Sequence, residues 1–427
     1  MESISRFFGL SSYQRFDQPG SANSRASYAN PYNEPEPLAA CRVGDLGRLD
    51  RELQKHRSIV YQDYRSKKTG DIVSLLVIAV AGSHVELARL LIDQGAYVDY
   101  VTKDGFTPLR YAVQAGHVEL AQLLIGNGAC VNQTGNKGYT PLYDAATKGY
   151  VELSRLLIYE GADVNLKTKK GFTPLSNATE KGHVELIRLL IDKGADVNVA
   201  TYKGTTPLYF AVQEDNDEVA RLLISKGANV NLKTKKGFTP LSHAAEKGYV
   251  GLIRLLIDEG AEVNVATYKE TTPLYFAVQE DNDEVARLLI SKGAKVNLAT
   301  EDGSTPLSFA AEKGYVGLSR LLINKGADVN LATKKGATPL FYAAQNGNNE
   351  IVRLLLANGA DPEKKLKILN LGRYSFTKAP RSAALVNRGD KETVEMIEKA
   401  IKERKIHSSS ECSSLRAGQN ASYGAIR

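Results

Sequence analysis

Three histidines recur at regular positions and raise the question of a metal or catalytic site. His84, His117 and His183 each stand directly before a short amphipathic helix pattern, and they are separated by one and two 33-residue periods. None of them has a second histidine or a cysteine beside it at metal-ligand spacing. Because other copies of this position carry Tyr or Asn, we interpret the three imidazoles as structural turn residues.

Two acidic loops are the next candidates, because carboxylates gathered in a loop can bind Ca²⁺. The sequence QEDNDE occurs at 213–218 and again at 279–284, with four acids in each copy. Their spacing matches no calcium-binding loop, so we expect a solvated acidic edge instead.

The cysteines do not form a recognisable site. Cys41, Cys130 and Cys412 are far apart and odd in number, which suits a reducing compartment better than a disulfide framework. Cys130 occupies the variable place of a repeated GA-x-VN motif, and we expect it to be inert rather than nucleophilic.

No catalytic motif is found in the chain. It contains no GxxxxGK[ST] phosphate loop, no HExxH, no GxSxG and no dinucleotide fingerprint, and its glycines follow a 33-residue period instead. We therefore predict no catalytic residue, no cofactor and no metal ion, and we do not expect an enzyme.

Length, charge and hydropathy limit the remaining classes of protein. The 427 residues carry a formal charge of +7, and residues 361–427 hold 14 Lys or Arg against 8 Asp or Glu. A uniformly basic nucleic-acid binder would not concentrate its charge in this way. No apolar run approaches the roughly 18 residues of a membrane-spanning helix, and the first residues lack the apolar core of a secretion signal. We expect a monomer in the cytoplasm, with no membrane span.

A repeated tripeptide indicates the elements that must position all of these residues. Thr can cap a helix through its hydroxyl, and Pro follows at the first helical position, where its missing N–H costs nothing. A second amphipathic helix such as 151–161 comes next, and a glycine such as Gly161 or Gly227 suits a left-handed helix end. A unit this small cannot bury its apolar face alone, so the units must stack. The tripeptide TPL recurs with the same 33-residue period and begins at Thr107, Thr140, Thr173, Thr206, Thr239, Thr272, Thr305 and Thr338.

In these motifs the chain resembles the ankyrin-repeat family, over roughly residues 71–361. The resemblance implies an all-α repeat solenoid, a stack of paired antiparallel helices with projecting finger turns. The apolar stripe of Val394, Ile397 and Ile401 favours a terminal cap, although it would also suit an amphipathic membrane or partner helix. We predict a disordered N-terminal segment at 1–36, a degenerate N-terminal repeat or cap at 37–70, an array of about nine repeats at 71–361, a C-terminal helical cap at 362–405 and a disordered tail at 406–427.

A longer period, twice that of the TPL motif, overlies the repeat. Residues 166–231 and 232–297 differ at only eight positions, and both contain the sequence TPLYFAVQEDNDEVARLLISKGA. Packing constrains the core positions of a repeat and cannot enforce such identity on its surface. We interpret the duplicate as a recent copying event, which a linear stack tolerates because each repeat contacts only its neighbours.

The resemblance also indicates where a protein partner would bind. In ankyrin-repeat proteins, contact usually falls on the finger tips and on exposed positions late in the first helix. Exposed rings supply anchor area, and lysines steer an acidic partner. The alternative is that the rings pack down on the neighbouring finger and that the lysines only keep the face soluble. The predicted partner-binding residues are Phe106, Tyr139, Lys169, Lys170, Phe172, Tyr202, Lys203, Lys235, Lys236, Phe238, Tyr268 and Lys269.

These features predict a non-catalytic scaffold or adaptor that binds a protein with an acidic surface through the concave finger and helix face. One version is a host-directed effector exported by an intracellular bacterium, since near-identical repeat blocks and a basic tail are frequent in such ankyrin-rich proteins. Another class is nucleic-acid binding, because fingers with Lys and aromatic residues would suit single strands. Acidic residues at the same contact positions argue against that class.

Three departures from the family pattern are expected to alter local structure. The histidine that usually follows TPL is absent, and Ser alternates with Tyr at most copies, as at Ser176 and Tyr209, which suggests that repeats pack in large and small pairs. Glu270 replaces a finger glycine and predicts either a strained turn or another turn type. Asp215 and Asp281 replace the glycine between helices, and we expect this to be tolerated because Asp can adopt left-handed geometry.

Overall fold

Helix pairs account for most of the chain that the structure describes. The computed structural model describes residues 35–65, 72–364 and 391–406. They fall into two units, one ending at Ala228 and the other beginning at Asn229. The segments predicted to be disordered lie almost entirely outside the described residues, as do Cys412 and the first part of the predicted C-terminal cap.

In its described residues, the first unit contains six helix pairs and one short pair of antiparallel strands. Tyr64–Arg65 pairs with Ile72–Val73, an element that the sequence did not lead us to expect. A 3₁₀ turn at Arg57–Tyr61 precedes the strands. The helix pairs are Glu36–Val43 with Leu46–Lys55, Leu75–Ala81 with Val85–Asp93, Pro108–Ala115 with Val118–Gly126, Pro141–Lys148 with Val151–Tyr159, Pro174–Glu180 with Val184–Asp192, and Pro207–Gln213 with Asp217–Ser225.

Over the ranges 229–364 and 391–406, which the structure describes, the second unit contains four helix pairs and a further helix at 391–406. Its first helices begin at proline, as they do in the TPL copies of the first unit. The pairs are Pro240–Lys247 with Val250–Asp258, Pro273–Gln279 with Asp283–Ser291, Pro306–Lys313 with Val316–Asn324, and Pro339–Asn346 with Asn349–Ala357.

Stacking of first helices builds the core of each unit. Within a unit, each first helix packs against its own second helix and against the first helices of neighbouring pairs. The leucine of TPL is central to these contacts, and Leu109, Leu142 and Leu175 are fully buried. Burial of one leucine side chain stabilises by about 2 kcal/mol. The expected all-α fold of stacked helix pairs is confirmed within each unit.

Threonine caps start the first helices where the sequence predicts them. In all eight TPL copies the threonine hydroxyl accepts the backbone N–H of the third residue after it, at 3.1 to 3.3 Å. Gly161 and Gly227, which follow second helices, have φ angles of 91° and 89°, so the predicted left-handed helix ends are also confirmed. Local residue chemistry therefore sets both ends of the repeat.

The residue that follows TPL closes the helix start in two different ways. The Ser176 hydroxyl accepts the backbone N–H of Thr173 at 2.9 Å, while Thr173 caps Ser176 in return, and two later serine copies repeat this reciprocal pair. In a tyrosine copy, the ring of Tyr275 instead packs against Phe309 in the first helix of the next repeat, with 5.5 Å between the ring centres. The Tyr275 hydroxyl donates to Ser304 Oγ at 3.2 Å. The serine copies thus share one arrangement, whereas the tyrosine copies differ among themselves, since Tyr143 stacks on Tyr139 of its own finger.

A ladder of asparagine side chains joins successive repeats within each unit. Asn165, which ends one GA-x-VN motif, donates from Nδ2 to the Gly194 carbonyl at 3.0 Å and accepts the backbone N–H of Asp196 at 2.9 Å. These bonds span 29 and 31 residues, so each asparagine joins the end of its own repeat to the end of the next. The same pair of bonds is made in the first unit by Asn132 and in the second by Asn231, Asn264, Asn297 and Asn330.

Left-handed backbone angles outside glycine occur where the sequence departs from the repeat pattern. Asp215 and Asp281 both have a φ of 51°, which confirms that aspartate keeps the turn between the helices. Glu270 has a φ of 59°, whereas the finger glycines have φ angles of 75° to 87°. The finger of Glu270 therefore keeps its left-handed turn, and the glutamate adopts a conformation that costs a residue with a Cβ about 1 kcal/mol.

A buried ion pair lies between two first helices of the first unit. Arg110 Nε donates to Asp144 Oδ2 at 2.7 Å, and Nη1 donates to the Gly105 carbonyl at 3.1 Å. Gly135 leaves the room that the guanidinium needs, since a Cβ there would lie 2.2 Å from Arg110 Nη1. Burial raises the pKa of Asp144, and the charge of Arg110 opposes that rise. Arg110, Asp144 and Gly135 each differ from the residues at the equivalent positions of the other repeats, and all three serve this one ion pair.

The helix at 391–406 is attached to the last repeat of the second unit. Arg404 donates to Asp361 Oδ1 at 2.6 Å, and Ile397 of the predicted apolar stripe is fully buried. These contacts support a terminal cap. Its boundaries stay a prediction, because residues 365–390 lie outside the described part of the chain.

Replacing Glu270 by glycine should stabilise the second unit by about 1 kcal/mol, because glycine adopts the left-handed conformation without steric cost. Urea denaturation followed by circular dichroism would measure the change. Gly204→Glu, at the matched finger of the first copy, should lower stability by a similar amount. Equal stability of Glu270→Gly and wild type would show that the left-handed conformation of Glu270 carries no energetic cost.

Removal of Asp144 should be far more damaging than replacement of the whole ion pair. Asp144→Ala leaves the Arg110 charge buried without its partner and should cost about 3–5 kcal/mol of unfolding free energy.

The matched control is Arg110→Ser/Asp144→Phe, which copies the residues Ser176 and Phe210 at the equivalent positions of a later pair of repeats. This double variant should retain most of the stability in thermal and urea denaturation. A double variant as unstable as Asp144→Ala would show that the pair does not act as a unit.

Candidate functional site

Each finger, defined as the five residues before a TPL threonine, is closed by its own hydrogen bonds. In the finger 168–172 the backbone N–H of Thr168 donates to the Phe172 carbonyl at 2.8 Å. The backbone N–H of Phe172 donates in return to Thr168 Oγ1 at 3.1 Å. Gly171 has a φ of 81° at the turn. The finger is thus a folded turn rather than an open loop.

Neighbouring finger tips in the first unit are joined through their backbones. The N–H of Lys169 donates to the Lys137 carbonyl at 3.0 Å, and that of Tyr202 donates to the Lys170 carbonyl at 3.1 Å. A Cβ on Gly171 would lie only 2.7 Å from the Tyr202 nitrogen, so glycine permits this approach. The side chains of the tips therefore project from a fixed frame.

The second unit repeats this geometry. The N–H of Tyr268 donates to the Lys236 carbonyl at 3.3 Å, and that of Glu301 donates to the Lys269 carbonyl at 3.0 Å. A Cβ on Gly237 would also lie 2.7 Å from the nitrogen of the next tip.

The predicted binding residues divide into an exposed group and a half-buried group. Tyr202 and Tyr268 expose 59% and 72% of their surface, which is unusual for large aromatic side chains. The rings that directly precede a TPL threonine are half-buried, namely Phe106, Tyr139, Phe172 and Phe238. All six predicted lysines are exposed, namely Lys169, Lys170, Lys203, Lys235, Lys236 and Lys269.

The half-buried rings pack on helix side chains beneath the fingers. The ring centre of Phe172 lies 5.5 Å from that of Phe210, and Phe238 lies 5.3 Å from Phe276. Both partners belong to the first helix of the following repeat. These rings bridge two repeats and leave only one side open, so the packing alternative accounts for part of their surface.

The first two predicted rings are engaged differently. The guanidinium of Arg110 lies 4.1 Å from the centre of the Phe106 ring and 5.9 Å from that of Tyr139. Tyr139 also stacks on Tyr143 at 4.8 Å. Because these contacts surround a buried cation, the two rings have a structural role there.

Charge along the fingers and helices is not uniform. Three exposed lysines at the ends of first helices directly follow a glutamate, and Lys181 Nζ lies 3.1 Å from Glu180 Oε1. They are Lys181, Lys247 and Lys313. A later finger carries Glu301 and Asp302, and a hydrogen bond from Thr300 lowers the pKa of Asp302. Positive charge is therefore concentrated in the fingers 168–172, 234–238 and 333–337, which hold two lysines each, and the first two of these directly precede the fingers of Tyr202 and Tyr268.

Sequence reasoning overlooked the threonine that opens most fingers. Its hydroxyl accepts the backbone N–H of the residue four positions later and so closes the turn from inside. The 33-residue spacing of these threonines was a signal that could have revealed them. They are Thr102, Thr168, Thr201, Thr234, Thr267 and Thr333.

The histidines and acidic loops that opened the sequence analysis are used in turns and caps. His84 and His183 donate from Nε2 to backbone carbonyls of the preceding repeat, at 3.3 and 3.4 Å. Within an acidic loop, Asn216 caps the next helix and Asp217 Oδ2 accepts from Arg221 at 2.7 Å. Among the described residues, no group of three or more His, Cys, Asp or Glu is placed to hold a metal ion. In the same residues, no helix is both long enough and apolar enough to cross a membrane.

Comparison with known proteins agrees with the repeat geometry. A search of curated proteins finds no match. A family model described as ankyrin repeats (3 copies) matches well over half of the chain, at residues 59–135, 75–168, 142–234, 229–300 and 295–365. Because this match agrees with the capped helix pairs and the left-handed finger turns, the chain belongs to the ankyrin-repeat family.

Proposed function

We propose that the chain is a non-catalytic interaction module that binds an acidic segment of a protein partner through the tyrosines and lysines of its fingers. Repeats of this family generally serve as protein-interaction modules. The observation that carries the proposal is the placement of Tyr202 and Tyr268. Both project from hydrogen-bonded finger tips and stand next to exposed lysines.

The tyrosines supply what an interface anchor requires. A large ring that is exposed in the free protein loses water contact when a partner covers it, and tyrosine has few rotatable bonds to immobilise. The finger backbone is already held by bonds such as that between Tyr202 N–H and the Lys170 carbonyl. Ordering of the tip on binding therefore costs little, and the half-buried Phe172 offers an apolar floor beside it.

The lysines indicate the chemistry of the partner. Three exposed lysines accompany Tyr202, and their field favours encounter with carboxylates. The mixed signs elsewhere, such as Glu301 and Asp302 in a later finger, favour a shaped acidic protein segment over a uniform phosphate backbone. Binding of such a segment should weaken with salt, but less steeply than binding to a polyanion.

A library of displayed short peptides, selected on the full chain, should yield sequences rich in Asp and Glu. Tyr202→Ala/Tyr268→Ala should weaken their binding at least about tenfold, because truncation of a central aromatic anchor typically costs about 2 kcal/mol or more. Both side chains are exposed, so circular dichroism should show unchanged folding. Titration of purified wild type and variant with a recovered peptide would measure the loss.

The matched control is Tyr97→Ala/Tyr159→Ala, since these tyrosines expose 67% and 86% of their surface away from the finger tips. The control should bind as wild type does. Selection of peptides without acidic residues, or equal binding by both double variants, would refute the finger site. A slope of log affinity against log salt that reflects several released counterions, with single-stranded nucleic acid as ligand, would favour the nucleic-acid class instead.

A further inference from the structure

The two copied blocks each contain a complete finger site, and on this basis we propose that the chain binds two copies of the acidic segment with different affinities. The inference rests on the proposed function of the fingers. Site A is defined as Lys169, Lys170, Phe172, Tyr202 and Lys203, and site B as Lys235, Lys236, Phe238, Tyr268 and Lys269. Site A lies wholly within the first unit and site B wholly within the second.

The two sites have the same internal geometry. In site A the Tyr202 N–H lies 3.1 Å from the Lys170 carbonyl, and in site B the corresponding distance from Tyr268 is 3.3 Å. The phenylalanine ring of each site packs on the next first helix, at 5.5 Å and 35° in site A and at 5.3 Å and 33° in site B. A segment that fits one site therefore meets the same backbone frame and the same ring positions in the other.

The sites differ in charge at one finger position. Of the eight positions at which the blocks differ, only Gly204 and its counterpart Glu270 lie in a finger. Both belong to the finger tip that carries the exposed tyrosine, directly after Lys203 in site A and after Lys269 in site B. Glu270 is exposed, so its carboxylate adds a negative charge at the edge of site B.

This charge should separate the two affinities. One additional like charge about 7 Å from a carboxylate, in a largely aqueous setting, weakens the interaction about threefold. The backbone turn is left-handed in both fingers, with φ angles of 79° at Gly204 and 59° at Glu270, so the frame itself does not account for such a difference. Site A is then the tighter site, and Glu270 is the one finger residue inside the copied blocks that separates site B from it. The finger that follows site B carries Glu301 and Asp302, is joined to site B by the bond from the Glu301 N–H to the Lys269 carbonyl, and acts in the same direction.

Calorimetric titration of the full chain with an acidic peptide recovered in the selection tests the inference. Two sites per chain are expected, with dissociation constants that differ at least about threefold at low salt and converge at high salt. Tyr202→Ala should leave only the weaker site, and Tyr268→Ala only the tighter one. On the Tyr202→Ala background, Glu270→Gln should tighten the remaining site about threefold, because glutamine removes the charge and keeps the side-chain shape.

The control on the same background is Glu259→Gln, which removes an equal charge at the end of a second helix and should leave the peptide affinity unchanged. The two-site inference would be overturned if each chain bound one peptide only and Tyr202→Ala/Tyr268→Ala abolished that binding. The proposed function would still hold in that case. Two equal sites that do not respond to Glu270→Gln would overturn the assignment to Glu270. Binding that survives loss of both tyrosines would instead refute the proposed function itself.

Discussion

Hydrogen bonds to backbone groups of successive repeats are the constraint on which the rest of this structure depends. At one edge, five finger tips donate their backbone N–H to the preceding finger, as Tyr202 does to the Lys170 carbonyl. At the ends of the second helices, Asn165 and its counterparts make a pair of bonds to the next repeat. Both sets require every repeat to present the same groups at the same height. The 33-residue period is therefore a geometric requirement as well as a record of ancestry.

This constraint explains which sequence positions can vary. Glycine at the finger turn lets two backbones approach, since a Cβ on Gly171 would lie 2.7 Å from the next nitrogen. Most tips contribute only backbone groups to the ladder, so Lys, Tyr or Glu can occupy them without loss of these bonds. The backbone atoms of the tips thus stabilise the stack, while their side chains are free to recognise a partner. This is why a constant backbone can present a variable surface.

Much of the fold could be predicted because it depends on local chemistry. Threonine caps, the following proline and left-handed glycines act within a few residues, and all of them lie where the sequence indicates. The contact of Arg110 with Asp144 spans 34 residues and needs the space left at Gly135, so no local pattern announces it. The candidate site was predictable by position, since family resemblance placed it on the fingers. Which rings are exposed was not, because that depends on contacts with the next repeat: Phe172, directly before its TPL threonine, packs on Phe210, whereas Tyr202, four residues before its threonine, is 59% exposed.

The constant sequence separation between the residues that the asparagine bonds join has a consequence for how the gene of such a protein can change. Residues 206–228 and 272–294 are identical, so unequal crossing-over between their coding segments would remove or add one whole block of two repeats. Every asparagine would still find a glycine carbonyl 29 residues ahead, as Asn165 does now. Chains with one, two or three blocks would then all satisfy the same hydrogen bonds. Copy number could therefore vary among descendants at little structural cost, and the number of finger sites would vary with it.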